Sequence, residues 1–539
     1  MNQYQIQPNW KIFSWLALAG IILYLLVQVL PSTSEAFFGT GSEKVIAKSE
    51  AERAAADFAE RQFKQKPVEA HAVHQSDSLL YGYLSKEKLL NEYDKEWDAA
   101  FPTDTFQVNT KMPDGSLIFI YVHMQKGTVV GWNRYNASDS SVPGPTEQDD
   151  AALKFAVSQG FQARSLKISN TNPSTGEVRL DVADHMIADA RLVLEVRSEK
   201  LPGGGLIIAK YEPKFIVPSG YSTYVEQQTK LASFLSLLGS LLLSFVLFVL
   251  AIIYASLYRK HSSFKRGIVL SLVFLFVYLA NNISMTDGIL AAAGENPNAV
   301  SYAVVTVAIT SIVTVVMAAA AYFSLVGGDA LWNSMGRRLW PRFGEAGYGE
   351  YVWRSMWLGY LFALILLGLQ TVIFIVLLNV TGAWSTTDVT QSPYNLAAPW
   401  IFPMMAWCAA ISEEAVYRLF GIGLLKKWFK NTFVAALIPT IIWALGHVTY
   451  PIFPSTTRLF ELTIIGLAFS FMFVRYGFIT VLFAHAVFDS IMMAISLMFM
   501  GTAVNILTGI IYIILPIPIA WSIRWFDKRT PKRALTLRS

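Results

Sequence analysis

Residues 411–420 read Ile-Ser-Glu-Glu-Ala-Val-Tyr-Arg-Leu-Phe, inside an apolar run from about 397 to 424. A run of about 20 apolar residues is the length that crosses a bilayer as a helix. An ionised group at that depth costs roughly 2.5–3.5 kcal/mol on insertion scales, so two glutamates and an arginine there mark a candidate site. Two later apolar runs carry further polar groups: Trp-Ala-Leu-Gly-His at 443–447 and His-Ala-Val-Phe-Asp at 485–489. Of the seven histidines, His71, His74, His123 and His185 fall in a polar region and His261 in a loop; only His447 and His485 fall within apolar runs.

The surrounding chain is built for lipid. Its 539 residues are 54% hydrophobic and 15% charged, with a mean hydropathy of +0.42, where soluble proteins carry about 25% charge. Ten runs have spanning character, near 12–30, 231–257, 267–283, 299–326, 356–380, 397–424, 431–449, 459–475, 478–500 and 502–523. Basic loops stay cytoplasmic. Arg259, Lys260, Lys265, Arg266, Arg337, Arg338, Arg342, Lys426, Lys427, Lys430 and Arg475 lie in alternate loops, and Arg524 to Arg538 in the tail. Ten spans with both termini cytoplasmic satisfy every cluster except Arg458, which is read with Glu461 as a surface pair. The first run is read as an uncleaved anchor, since no small-residue cleavage site follows it. The net charge of +5 is accounted for by these loops, and nothing points to nucleic acid. The expected location is a bacterial cell membrane, crossed several times.

The same alternation places residues 31–230 outside the cytoplasm. This segment is polar and reads twice as an alanine-rich helix followed by alternating strands. The helices are expected at 49–63 and 146–160, and strands at 116–130, 178–182, 190–196 and 205–216, with Pro-Gly-Gly-Gly at 202–205 as a hairpin turn. The single cysteine, Cys408, rules out an internal disulfide and is read as a packing residue. The expected organisation is thus an anchor at 1–30, a duplicated extracytoplasmic α+β domain at 31–230, helices at 231–390, a core at 391–523 and a basic tail at 524–539. The fold class is an all-α polytopic bundle of about ten helices with an inserted α+β domain.

Helical spacing assigns faces within the core. Glu414 and Arg418 are four apart and pair on one face, and Glu413 points about 100° away. His485 and Asp489 are also four apart. From the cytoplasmic ends of their spans Glu413 and Asp489 lie roughly eleven residues deep, His485 about seven and His447 about sixteen, so His447 needs tilt or an unwound start to join them. The expected chamber opens toward the cytoplasmic half. A carboxylate beside two imidazoles offers two routes to hydrolysis. Glu413 can act as general base on water while the histidines orient it, or His447, His485, Asp489 and Glu413 can hold zinc and activate a bound water. A buried ion-pair network that fixes packing, a secondary transporter, and a non-catalytic receptor or immunity membrane protein are the competing readings.

The three segments resemble the motifs of the CAAX protease and bacteriocin-processing (CPBP, Abi) family of intramembrane endopeptidases: Glu-Glu-x-x-x-Arg, Phe-x-x-x-His, then His-x-x-x-Asn or Asp. The resemblance covers roughly residues 395–500. It implies a peptidase in which Glu413 activates water with His447, Glu414 and Arg418 support the site, and His485 with Asp489 binds the reacting centre. Trp443 stands where phenylalanine is usual and is assigned the same packing role. Asp489 stands where eukaryotic members carry asparagine. An ionised aspartate cannot donate to an oxyanion, which shifts the expectation toward a metal-dependent site. The expected partners are membrane lipid and a peptide or membrane-protein substrate, and prenylated substrates are not expected.

Overall fold

A computed structural model describes residues 7–31, 44–135, 141–201 and 204–530. Part of the 202–205 turn and the end of the basic tail lie outside these. Among the described residues six helices are long and apolar enough to cross a membrane: Trp10–Val29, Ser219–Leu257, Ala299–Ser334, Tyr348–Thr381, Thr457–Tyr476 and Phe478–Met498. Two bent pairs, Ile268–Ser284 with Thr286–Ala293 and Ala503–Ile514 with Pro516–Arg529, raise the number to eight. Side chains such as Val300, Val304, Ile309 and Ile312 are exposed along Ala299–Ser334, as a lipid-facing surface requires.

A multi-pass membrane protein follows, but with six to eight candidate spans the expected ten are not confirmed. The two runs that drop out are the ones bearing Glu413 and His447. The first enters through a 3-10 turn, Pro399–Met404, and is α-helical over Met405–Glu413. It widens to π geometry over Glu414–Ile422 before Gly423–Phe429. The second, Thr432–Leu445, has 14 residues. Helix irregularities of this kind gather at functional positions.

Between the first two spans the chain forms one eight-stranded antiparallel sheet, in the order β1-β2-β3-β4-β8-β7-β6-β5. β1 is Glu69–Ser76, β2 Asp104–Lys111, β3 Leu117–His123 and β4 Val129–Tyr135. β5 is Leu166–Asn172, β6 Glu177–Ile187, β7 Ala190–Lys200 and β8 Leu206–Ile216. Each half opens with a helix and contributes four strands, the first half inserting Ser78–Glu87 and Leu90–Glu96 between β1 and β2, and the halves join where β4 meets β8. The leading helices, Lys48–Phe63 and Pro145–Ser158, bury Ala51, Ala55 and Ala59, and Ala152 and Ala156. These stripes at i, i+4 let helix backbone lie close on the sheet. The spanning helix begins at Ser219, inside the segment assigned from sequence to the outer domain.

The sheet domain is tied to the bundle at several polar points. Asp287 receives Lys48 at 2.6 Å and His71 at 2.8 Å. Glu295 accepts from Tyr121 and Tyr135, each at 2.9 Å, and from Asn133 at 2.7 Å. The Asn395 side chain caps the edge of β1, accepting from His74 N at 2.7 Å and donating to His74 O at 2.8 Å. A short ladder of Trp384–Ser385 against Ile452–Phe453 completes the junction, with Trp384 and Phe453 buried in the sheet domain's apolar core.

Candidate active site

The change from α to π geometry falls between the two glutamates and separates them. Glu414 turns inward and is fully buried, while the Glu413 side chain stays 21% exposed. Glu414 Oε1 meets Arg418 Nη1 at 3.1 Å and His485 Nδ1 at 2.7 Å. The Arg418 guanidinium is itself sealed, 4.4 Å from the Trp443 ring centroid and 5.4 Å from that of Phe469. The spacing-based pairing of Glu414 with Arg418 therefore holds.

Glu413 meets groups from two other helices. Trp443, on Thr432–Leu445, donates its indole N–H to Glu413 Oε2. Its ring fits because Gly466 faces it: a Cβ there would lie 2.8 Å from Trp443 Cζ3. Helix Thr432–Leu445 then stops, and His447 lies in the turn that follows. His447 Nδ1 lies 2.9 Å from the Trp443 carbonyl oxygen. A carbonyl only accepts, so Nδ1 carries a proton, and Nε2 faces Glu413 Oε1 at 3.8 Å.

On helix Phe478–Met498, His485 is buried and stacked on Phe469, 4.6 Å between ring centroids. Its Nε2 lies 3.3 Å from Asp489 Oδ2 and 3.8 Å from Glu413 Oε2. Both ring nitrogens therefore face carboxylates, which a doubly protonated ring satisfies and a neutral ring, with one N–H, does not. The structure thus brings Glu413, Glu414, Arg418, Trp443, His447, His485 and Asp489 together.

Two readings of the sequence need correction. Trp443 contributes more than packing, because its N–H holds Glu413. Arg458 and Glu461 are no surface pair: Glu461 is fully buried, bonded to Arg458 at 2.6 Å and Gln370 at 2.9 Å. A cavity on the sheet-domain side has Val448, Thr449 and Tyr450 in its wall. Tyr450, unmarked in the sequence reading, stacks on His447 at 5.6 Å and 15°, with Arg458 5.2 Å from its ring centroid. A phenol three residues beyond a site histidine was the one available signal. Cys408 is buried, its thiol 3.8 Å from the Phe274 carbonyl oxygen, as a packing residue would be.

The donor types of His447, His485, Asp489 and Glu413 suit zinc. Among the described residues no three or more His, Cys, Asp or Glu side chains are grouped to hold a metal ion.

Comparison with known proteins places this geometry in a class. Residues 395–491 match the family model described as Type II CAAX prenyl endopeptidase Rce1-like, so this part of the chain is a CPBP-type membrane endopeptidase domain. A distant homologue is the sporulation-killing factor biosynthesis protein SkfC of Bacillus subtilis (strain 168), 28% identical over 89 residues. That match covers 16% of this chain and 18% of the relative. No solved structure matches the chain.

Proposed function

We propose that this chain is an intramembrane endopeptidase acting on membrane-associated or secreted peptides, with Glu413 as general base. The observation that carries the reading is the meeting of Glu413 with two imidazole Nε2 atoms, each at 3.8 Å, from separate segments. That gap is too long for direct hydrogen bonds and suits a water between the groups. Glu413 takes one proton of the water, and the His447 Nε2 lone pair accepts the other hydrogen and orients it. The hydroxide oxygen bonds to the scissile carbonyl carbon, and the His485 N–H donates to the oxyanion. As the C–N bond breaks, Glu413 returns its proton to the leaving amine. Asp489 and Glu414 keep His485 charged, so Asp489 works through the imidazole and need not donate to the oxyanion itself. Arg418 balances Glu414.

The relative's name concerns biosynthesis of a killing factor, which supports a secreted peptide as one substrate class. The test compares N-termini of membrane and secreted proteins, by mass spectrometry, between cells carrying the wild-type chain and Glu413→Gln at equal expression. Termini that vanish in the variant are expected. Identical termini would move the assignment to a transport or immunity role. Cleavage by the purified protein is expected to survive a zinc chelator; its loss, restored by zinc, would replace the direct route with a metal-assisted one.

A further inference from the structure

A cavity of about 520 Å³ lies where the sheet domain meets the bundle. Its wall includes the segment that follows His447: Val448, Thr449 and Tyr450, the last stacked on the histidine ring. It also includes the end of β1, where Gln75 and Ser76 are fixed by bonds to Ala291 O at 2.9 Å and Thr387 Oγ1 at 2.6 Å. The same two residues also form part of the wall of a second cavity, of about 380 Å³, within the sheet domain. The two cavities share this strand end, and the larger one reaches the turn that carries His447. Each has the volume of a ligand pocket, commonly about 300–1,000 Å³.

The lining limits what fits. The larger cavity is walled by Ser, Thr, Gln and apolar side chains that include Tyr221, Tyr450 and Phe453, with Asp388 the charged residue among those described. The smaller holds Asp77, Glu212 and Lys214. Glu212 is offset by Lys214 and Lys210, so Asp77 and Asp388 set the sign, which disfavours an acidic chain and accepts an uncharged or basic one.

We infer that this junction is a binding site for the substrate polypeptide: an extended, non-acidic segment outside the membrane-embedded part of the substrate lies in the two cavities and feeds the scissile bond past Tyr450 to Glu413. The inference rests on the peptidase reading above and names the part of the substrate that the sheet domain selects. It explains why a domain with its own core is clamped rigidly beside the site, at Asp287, Glu295 and Asn395.

Two measurements on the full-length chain in membranes test it. Ala292 is exposed at the wall of the larger cavity, and Ala292→Trp fills that space without touching the cluster. The Glu413-dependent termini are expected to fall by about tenfold or more, the scale of a lost pocket fit. In parallel, a photo-crosslinking residue placed at Thr387 in the Glu413→Gln chain should capture peptides from the same proteins that yield those termini. Capture of those peptides supports the site even where Ala292→Trp fails to accumulate. Termini undiminished in a well-expressed Ala292→Trp chain, or crosslinks that include none of those proteins, would overturn this inference and leave the peptidase reading standing. Absence of any Glu413-dependent termini would instead remove the peptidase reading, and this inference with it.

Discussion

In the sheet domain Lys210 lies among three carboxylates, Glu177 at 3.1 Å, Glu195 at 2.7 Å and Glu212 at 3.0 Å. In the bundle Arg418 meets one, Glu414 at 3.1 Å. Burial disfavours the Lys210 ammonium, but Glu212, Glu195 and Glu177 outweigh it and hold the group above its usual range. The ladder also reaches solvent, with Glu177 and Glu212 about a third exposed. The bundle cluster has no such relief. Among the described residues Glu414 Oε2 and the Arg418 Nε and Nη2 atoms make no hydrogen bond, while Glu413, His447 and Asp489 keep about a fifth of their side-chain surface open. A structural network satisfies its charges. An arrangement that leaves some unmet next to an opening is the pattern of a site whose groups have work to do on a ligand.

The sharpest break of that comparison is a pair of substitutions. Glu413→Gln should lower cleavage by about 10²- to 10⁴-fold, the usual contribution of a general base, with the melting temperature near that of the wild type. Lys210→Met should do the reverse, leaving cleavage within a few-fold. It takes the lysine from Glu177 while Glu195 and Glu212 keep Lys214 at 3.0 and 3.4 Å, and should cost about 1 kcal/mol, since Glu177 and Glu212 are partly solvated. Thermal unfolding in detergent and terminus counting, run on both chains, read the two axes. A Lys210→Met chain that folds normally but no longer cleaves would erase the distinction.

Next in size is Arg418→Met, which leaves Glu414 sealed without its cation. The expected loss is about 3–5 kcal/mol of stability, the penalty for breaking a buried pair from one side. Glu414→Gln combined with Arg418→Met should recover most of that loss without recovering cleavage, since His485 then lacks the carboxylate on its Nδ1. Equal stability of the single variant and the wild type would show that Glu414 is neutral and that the pair is not ionic.

The same contrast sets what was readable in the sequence. Every residue of the cluster that carries a formal charge or an imidazole stood out, because an apolar run makes each one an exception. Trp443 did not, because an indole used for packing and an indole used as a donor leave the same mark on an apolar pattern. Glu461 was misread for a related reason. Its position near a helix end predicts exposure, and only the approach of Gln370 from another helix buries it. The expected ten spans are not confirmed where Glu414–Ile422 widens and where Thr432–Leu445 stops short, since neither event changes the apolar composition. In the sheet domain, alternation located the two leading helices and β6, β7 and β8, but not β1, β2, β5 or the break between β3 and β4. Nor did it give the pairing of β4 with β8, because hairpin order does not say which edges meet.

Trp443→Phe is the substitution that isolates the donor. The ring is kept, and with it the cover over Arg418; the N–H to Glu413 is lost. A hydrogen bond to a charged group is worth about 1.5–3 kcal/mol, so kcat should fall by about tenfold or more while KM stays close to the wild type, the sign of a group acting on the reacting step. An unchanged kcat would return Trp443 to packing.

The smallest expected effect lies at the junction between the two regions. His71 and Lys48 share Asp287, and the bond to Asp287, opposed by burial, raises the His71 pKa above 6.5. A histidine raised in the folded state contributes its full stabilisation below its unfolded pKa and loses it as pH rises through the folded value. Docking of β1 on Thr286–Ala293 should therefore be tightest at about pH 6 and loosen above about pH 6.5. The change should be modest, because the imidazole is 46% exposed and Lys48 stays charged throughout. Hydrogen exchange of residues 69–76 and 286–293, corrected for intrinsic rates, reads it directly. Protection should decline with pH in the wild type and lose that slope in His71→Gln. A flat wild-type profile would mean that Lys48 holds Asp287 alone, and that the clamp beside the site is indifferent to pH.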